Sequence, residues 1–548
     1  MLKIEIDIKR KEENKMKKWL SVLLAAVMLL AMAGIAGAET PKEATGTIDF
    51  QGLQPGESVV AYQIIEYTYQ NGQYTDADWV SAIKNDERFA NVKVDDVKGT
   101  LPEGMSESRF YEEVRLLVKD GTSYTGSKDK KIEGLKAGSY LCLISGGTTV
   151  HQLHIVSLNP VQDQNDEWTL RVNETGKQPT ATEKASRPVL DKTMKVEEKE
   201  TKQDQDTVAI GDTVTFDIYA TVPEYPDEAT NKKYTITDTM AKGLTLNPNS
   251  ITVSLINEKK TLAATDYTLT IHEPEADHGF TIEFNYDSIK SEAASEVSPW
   301  NSGAGTGYEG RVDTTGEGNS LTKGVHIQYT ATVNSDVKLE SDDNTNHAQL
   351  VYSNNPYGES TSEINDEVKL YTYGLKVEKK DGKTKAMLEG AEFEIYKING
   401  NEKATLSFKK VADGQYVVAK ANTEGMVTTV VVSKKNEGDA GDKKVGMLEI
   451  TGLDVGSYEL VETKAPQDYN KLTQPEPFTI TQDGKTHKYI DNTTSAYNNK
   501  EILNYKGIIM PSTGGMGTTV FMVAGIGVMA CAVAALMLVL KRQKKNEG

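Results

Sequence analysis

The chain has almost no cysteine: Cys142 and Cys531 are the two in 548 residues, and Cys531 sits inside an apolar run near the C-terminus. No disulfide framework can brace a folded region of this size, so its stability must come from elsewhere. Basic charge is also in deficit. Against 80 Asp+Glu stand 61 Lys+Arg, a net charge of −19, which repels nucleic acid and anionic lipid and leaves no basic groove for either. Hydrolase and metal signatures are missing as well. There is no Gly-x-Ser-x-Gly elbow, no His-Glu-x-x-His and no paired-cysteine motif, so neither an enzyme nor a resident cofactor is expected. His151 and His154 have odd spacing, which puts them on opposite sides of a strand, so they read as ordinary strand residues.

The two ends carry processing signals. Lys17-Lys18 precede an apolar core from Trp19 to Ile35, and Ala36-Gly37-Ala38 is a small-residue cleavage site of the secretory type, so residues 1–38 read as a signal peptide, with Met16 a candidate start. Cleavage between Ala38 and Glu39 would begin the mature chain. At the other end, residues 508–548 hold Met510-Pro511-Ser512-Thr513-Gly514, then an apolar span at 518–540, then Lys541-Arg-Gln-Lys-Lys545. About 20 apolar residues suffice to cross a bilayer, and the basic cluster should stay on the cytoplasmic side.

Between these ends the pattern is that of strands. Thr213-Val-Thr-Phe-Asp-Ile-Tyr-Ala220 and Val427-Thr-Thr-Val-Val-Val432 alternate with Gly-, Asn- and Asp-rich turns, and no long helical period appears. The expected fold is all-β, a tandem of immunoglobulin-like sandwiches with little helix. A repeat sets the divisions: Gly134-Leu-Lys-Ala-Gly-Ser-Tyr-Leu141 returns as Gly452-Leu-Asp-Val-Gly-Ser-Tyr-Glu459. Domains are therefore read at 39–180, 186–370 and 371–507, with a polar linker after Lys177 and a Gly- and Thr-rich surface loop at 303–318.

The C-terminal array resembles a Gram-positive cell-wall sorting signal. That likeness implies cleavage of the Thr513–Gly514 bond by a sortase, with Met510 standing where relatives usually have Leu. In the third domain, Leu388-Glu-Gly-Ala-Glu-Phe-Glu-Ile-Tyr396 and Tyr458-Glu-Leu-Val-Glu462-Thr-Lys-Ala-Pro466 resemble a Cna B-type domain of surface adhesins and pilins. The resemblance implies a self-formed isopeptide bond between Lys379 and Asn504, promoted by Glu462. Strand parity agrees, since Lys379 shares a face with Leu375 and Val377, and Glu462 with Tyr458 and Leu460. Burial disfavours charge on both an amine and a carboxyl, and a neutral amine beside a protonated acid is a nucleophile beside a proton donor.

Weaker motifs extend the likeness. The middle domain resembles that of Gram-positive backbone pilins, which implies Lys192 on its first strand, Asn354 on its last and Asp238 as promoter, with Lys195 and Asn355 as alternative registers. In the first domain the repeat puts Ile144 where Glu462 sits, so no such bond is expected there, and Cys142 falls on the inward face as a buried thiol. Trp168-Thr-Leu-Arg-Val172-Asn-Glu-Thr-Gly-Lys177 resembles the pilin motif, with Thr175-Gly176 in place of Tyr-Pro; it implies Lys177 as the polymerisation amine, with Lys184 the runner-up. The implied protein is a major pilus shaft subunit, joined head-to-tail by sortase from Thr513 to Lys177 and attached to peptidoglycan. Its implied partners are sortase, further copies of itself, minor tip and base pilins and host surface ligands. The competing reading is a wall-anchored monomeric adhesin or minor pilin.

Overall fold

The computed structural model describes most of residues 43–507; both ends, the internal segments 95–106, 119–122, 126–130, 173–178, 180–184, 200–203, 273–277, 295–322, 435–444 and 485–495, and a few shorter stretches fall outside the description. Outside it therefore lie Ala38 and Glu39, the sorting motif Met510 to Gly514, the span at 518–540, Lys177, Lys184 and the glycine-rich loop. Among the described residues no helix is long and apolar enough to cross a membrane. The chain divides into two compact units, one holding the strands up to Leu370, the other the segment Thr207–Gly211 and the strands from Tyr371 on.

The first unit begins with a sheet ordered Gln73–Trp79, Glu57–Gln70, Gly138–Gly146, His154–Gln162 and Trp168–Val172. Its two faces bury different partners. Tyr140, Cys142 and Ile144 pack with Ile48, Phe50 and Ile132, whereas Leu141 packs with Phe110 and Val114 of the helix Glu107–Leu117. One face is thus covered by the small antiparallel sheet of Gly46–Asp49 and Lys131–Leu135, as in a sandwich, and the helix covers the other. The burial of Cys142 and Ile144 follows the repeat, and burial pushes the Cys142 thiol's pKa up. His151 faces Glu57, with Nε2 2.9 Å from Oε1.

The same unit continues as a true sandwich. One sheet runs Leu190–Val196, Thr213–Ala220, Val325–Val333, Leu244–Leu255 and Lys260–Thr261; the other contains Thr361–Tyr371, Thr345–Ser353, Tyr234–Met240, Gly279–Phe284 and Tyr267–His272. Alternation in Val325–Val333 buries Val325, Ile327, Tyr329, Ala331 and Val333 while intervening positions face out, as a half-buried strand requires. Across the core the rings of Phe280 and Tyr329 meet edge to face at 5.0 Å.

The second unit is also a sandwich. Its larger sheet is ordered Met426–Val427, Ser407–Ala412, Gln415–Ala419, Met447–Leu453, Tyr373–Asp381 and Tyr497–Asn504; the other holds Glu402–Thr405, Glu392–Asn399, Gly456–Lys464 and Glu476–Ile480. First and last strands are parallel neighbours, with Lys379 opposite Ile502 and Asp381 opposite Asn504. Thr207–Gly211 joins this unit: Val208 N–H donates to Tyr371 O and Ile210 N–H to Gly452 O. The sequence repeat has a conformational basis. Gly134 and Gly452 adopt φ of 72° and 87°, the left-handed region that favours glycine, and the tyrosine of each repeat then reaches back to the turn. Tyr140 donates to Lys136 O at 2.9 Å and Tyr458 to Asp454 O at 2.7 Å, so the two turns are locked by the same bond.

Candidate cross-linking sites

In the C-terminal sandwich three elements converge on one buried point. Alternation along Tyr373–Asp381 carries Lys379 inward after Leu375 and Val377, and alternation along Gly456–Lys464 does the same for Glu462 after Tyr458 and Leu460. Asn504, last residue of its strand, follows buried Ile502. The side chains of Lys379 and Glu462 are fully buried, and Lys379 Nζ lies 3.0 Å from Glu462 Oε1. The other carboxylate oxygen, Oε2, accepts from Asn504 Nδ2 at 3.0 Å and from Leu472 N–H at 2.8 Å. One carboxylate therefore touches both the amine and the carboxamide. Asn504 Nδ2 also donates to Asn470 O at 2.6 Å, while its Oδ1 is buried without a hydrogen-bond partner.

Desolvation lowers the Lys379 pKa, and the attraction of Glu462 only partly offsets it. The side chain is thus biased toward the neutral, nucleophilic amine. Phe393 lines the site with its ring centroid 5.4 Å from Nζ. An amine, a carboxamide and a shared acid held together away from water are the parts that amide exchange requires.

The middle sandwich holds a comparable set with one different member. Lys192, Asp238 and Tyr329 are fully buried, and Lys192 Nζ hydrogen-bonds Asp238 Oδ2 and donates to the Tyr329 hydroxyl at 2.9 Å. Tyr329 in turn donates to Asp238 Oδ2 at 2.7 Å. Phe216 and Tyr329 present their rings to the amine at 5.5 and 5.4 Å. As with Lys379, burial drives the Lys192 pKa down against the pull of Asp238.

The carboxamide here is Asn346, not Asn354. Asn346 is fully buried and its Nδ2 donates to the Tyr329 hydroxyl at 2.7 Å; its Oδ1 has no hydrogen-bond partner. Asn354 instead donates to Gly147 O at 3.1 Å and to Ser362 Oγ at 2.7 Å, beside the turn that leaves the N-terminal sheet. Parity does not separate them, because Asn346, Ala348, Leu350, Tyr352 and Asn354 share a face. Position does. Asp238 is opposite Ala348, so Asn346 is two residues away and Asn354 six, about 20 Å along the strand, beyond the reach of a lysine. Nor is this carboxamide on the last strand: Asn346 lies on Thr345–Ser353, and the strand Thr361–Tyr371 comes after it. Of the alternative registers, Lys195 is only half-buried, and Asn355 Oδ1 accepts from Tyr357 N–H at 3.1 Å within its own turn.

No sequence signal separates Asn346 from Asn354, which share a parity; only the pairing that sets Asp238 opposite Ala348 puts Asn346 near the acid. Trp168 and Val172 of the pilin-like motif are buried on the edge strand, and Trp168 Nε1 donates to Gly72 O at 2.9 Å. They anchor the strand that precedes Lys177.

Comparison with known proteins follows the same division. Residues 374–494 match the family model for a SpaA, prealbumin-like fold domain, and residues 210–304 match that for the Gram-positive pilin backbone subunit 2, Cna-B-like domain. The trypsin-resistant surface T6 protein of Streptococcus pyogenes serotype M6 is 22% identical over 601 residues, covering 95% of this chain and all of the relative. The solved T6 backbone pilin of serotype M6 Streptococcus pyogenes, at 19% identity, covers 80% of this chain and 81% of its own with a TM-score of 0.53. At that identity the likeness speaks to fold.

Proposed function

We propose that this chain, with one segment matching a Gram-positive pilin backbone domain and another a prealbumin-like domain, is a shaft subunit that braces itself with two internal amide bonds and is joined to its neighbours by a third. The bonds are Lys379 to Asn504 and Lys192 to Asn346, with Glu462 and Asp238 as the respective promoters. The observation that carries this reading is the single buried carboxylate of Glu462, in contact with both Lys379 and Asn504.

The chemistry balances without a cofactor. Proton transfer within the buried pair gives a neutral amine and a protonated acid, which avoids two charges in an apolar interior. The acid polarises the carboxamide as Lys379 Nζ attacks Asn504 Cγ. The Cγ–Nδ2 bond then breaks, one amine proton passes through the carboxylate to the departing nitrogen, and ammonia leaves. One amide replaces another, and the carboxyl ends as the protonated acid it was when the amine attacked. The chain thus acts once on itself and turns over no substrate.

Polymerisation rests on the sorting motif and the Trp168–Val172 strand. A sortase would cut Thr513–Gly514 and pass the Thr513 carbonyl to Lys177 of the next copy, or to a peptidoglycan amine at the wall. One donor and one acceptor at different places make a head-to-tail contact that need not close, hence a fibre on the cell surface. Minor tip and base pilins and host ligands remain its expected further partners.

The test is an immunoblot of wall extracts. A ladder is expected from the wild-type chain and only monomer from Lys177→Ala. Lys177→Arg should fail equally, because a guanidinium stays protonated and cannot attack an acyl-enzyme. Monomer alone from wild type would replace the shaft reading with the wall-anchored adhesin; a ladder lost only in Lys184→Ala would move the amine to that residue.

A further inference from the structure

The two sites differ in how the acid reaches the asparagine. Glu462 bonds Asn504 directly, through Oε2. Asp238 is one methylene shorter, and the hydrogen bond from Asn346 ends instead on the Tyr329 hydroxyl, which donates onward to Asp238 Oδ2. We infer that Tyr329 is a proton relay for the middle cross-link, standing in for the methylene that Asp238 lacks. This rests on the reading that Lys192 and Asn346 become joined.

The hydroxyl is fully committed. A phenol has one proton to donate and two lone pairs, and here Asp238 takes the proton while Lys192 Nζ at 2.9 Å and Asn346 Nδ2 at 2.7 Å occupy the lone pairs. All three reacting partners meet on one oxygen. Burial and the nearby Asp238 hold the Tyr329 pKa well above its ordinary value, so the group stays a phenol and keeps its proton for hydrogen bonding. Its ring is fixed by Phe216, stacked at 5.2 Å, and Phe280, edge-on at 5.0 Å. The oxygen is therefore preorganised, which is what a transfer group requires.

The carboxamide turns its nitrogen toward the hydroxyl, and Asn346 Oδ1 has no hydrogen-bond partner. Oxygen and nitrogen of an amide exchange places by a half-turn about Cβ–Cγ. In the turned-over form the chain runs from the Asp238 carboxyl proton to the Tyr329 oxygen, and from the Tyr329 proton to Asn346 Oδ1. As neutral Lys192 Nζ attacks Cγ, Tyr329 passes its proton to Oδ1 and takes the one from Asp238. Collapse of the intermediate returns both protons along the chain, breaks Cγ–Nδ2, and lets one amine proton leave with the nitrogen as ammonia. Tyr329 and Asp238 end unchanged.

The experiment uses intact mass of the chain from Glu39 to Thr513, followed with time after synthesis. Wild type is expected to lose two ammonia molecules. Tyr329→Phe should lose the C-terminal one at the normal rate and the middle one roughly a hundredfold more slowly, the scale of a positioned proton donor. Asp238→Glu placed in the Tyr329→Phe background should restore the middle loss, because the added methylene fills the space of the deleted hydroxyl and reaches Asn346 directly. A mere packing role for Tyr329 would not be rescued this way. If wild type never loses the middle ammonia, the cross-link itself falls and the relay with it. If wild type loses it and Tyr329→Phe matches wild type, or the double variant stays slow, the relay is overturned while the cross-link stands.

Discussion

Glu462→Gln separates the covalent clasp from the packing around it. The replacement keeps the shape and can still hydrogen-bond Asn504 and Leu472, but it cannot take a proton from Lys379 or hand one to the leaving nitrogen. Lys379 and Asn504 should then stay separate. The bond closes a loop of 125 residues, from 379 to 504. By the chain-entropy argument used for disulfides, a cross-link over such a loop is worth about 5 kcal/mol. For a sandwich of this size that is a fall of about 15 °C or more in the melting of the C-terminal unit. The assays are intact mass and differential scanning calorimetry on one sample. The variant should be heavier than wild type by one retained ammonia, after allowance for the substitution, and the transition of the C-terminal unit should fall while that of the first unit stays. A Glu462→Gln chain that still loses the ammonia would refute the role of the acid. One that retains it and melts as before would refute the stabilising role of the bond.

Asn346→Ala should abolish one ammonia loss and Asn354→Ala neither, by intact mass; the opposite result would restore the last-strand register. Lys379→Ala should make the C-terminal unit the first to be cut by trypsin, since it removes the cross-link and leaves the buried Glu462 unpaired, together a cost of several kcal/mol. Acid stability of the N-terminal sheet should depend on Glu57. Burial opposes its ionisation, but hydrogen bonds from His151 and the Gln54 N–H outweigh this and leave its folded pKa below 4.5. A depressed carboxylate pKa contributes stability above the unfolded value and loses it as pH falls through the folded one. Glu57→Gln should therefore flatten the acid limb of thermal melting between about pH 5 and 3, and an unchanged limb would count against the pair.

What alternation decides was legible, and what depends on contact between distant strands was not. The sandwich character of the middle and C-terminal parts follows from period-two burial such as that of Val325–Val333. The helix Glu107–Leu117 was missed, although Phe110, Val114 and Val118 repeat at four-residue spacing and all are buried. Its short apolar signal is diluted by Glu107, Arg109, Glu112, Glu113 and Arg115. Glu112 and Arg115 are nevertheless buried, as a hydrogen-bonded pair with Nε to Oε2 at 3.0 Å, a compensation that charge counting cannot see. Nor could a linear reading assign Thr207–Gly211 to the unit that follows it, since the partners of Val208 and Ile210 are residues 371 and 452.

The sites divide along the same line. The meeting of Lys379, Glu462 and Asn504 was legible because the resemblance implies one position on each strand and parity puts Lys379 and Glu462 on inward faces. In the middle sandwich parity chose the right face of Thr345–Ser353 and could not choose a place along it, because every second residue from 346 to 354 satisfies the rule. Cross-strand register decides, and register is a pairing property: Met240 opposite Asn346, Asp238 opposite Ala348. The choice has a structural consequence. Lys379 and Asn504 lie on neighbouring strands of one sheet, whereas Lys192 and Asn346 lie on different sheets, so the first bond would fasten the edge strand to the strand beside it and the second would staple two layers. A clasp between neighbouring parallel strands resists sliding of one past the other, the motion that strand hydrogen bonds at about 1 kcal/mol net each resist least well when they are few. A staple between layers resists their separation. The geometry of each site therefore assigns it a different mode of failure to prevent, and single-bond variants pulled from the termini should unfold by different routes, sliding in Lys379→Ala and layer separation in Lys192→Ala. Identical force-extension traces for the two variants would show that the placement of the bond within the sandwich is mechanically irrelevant.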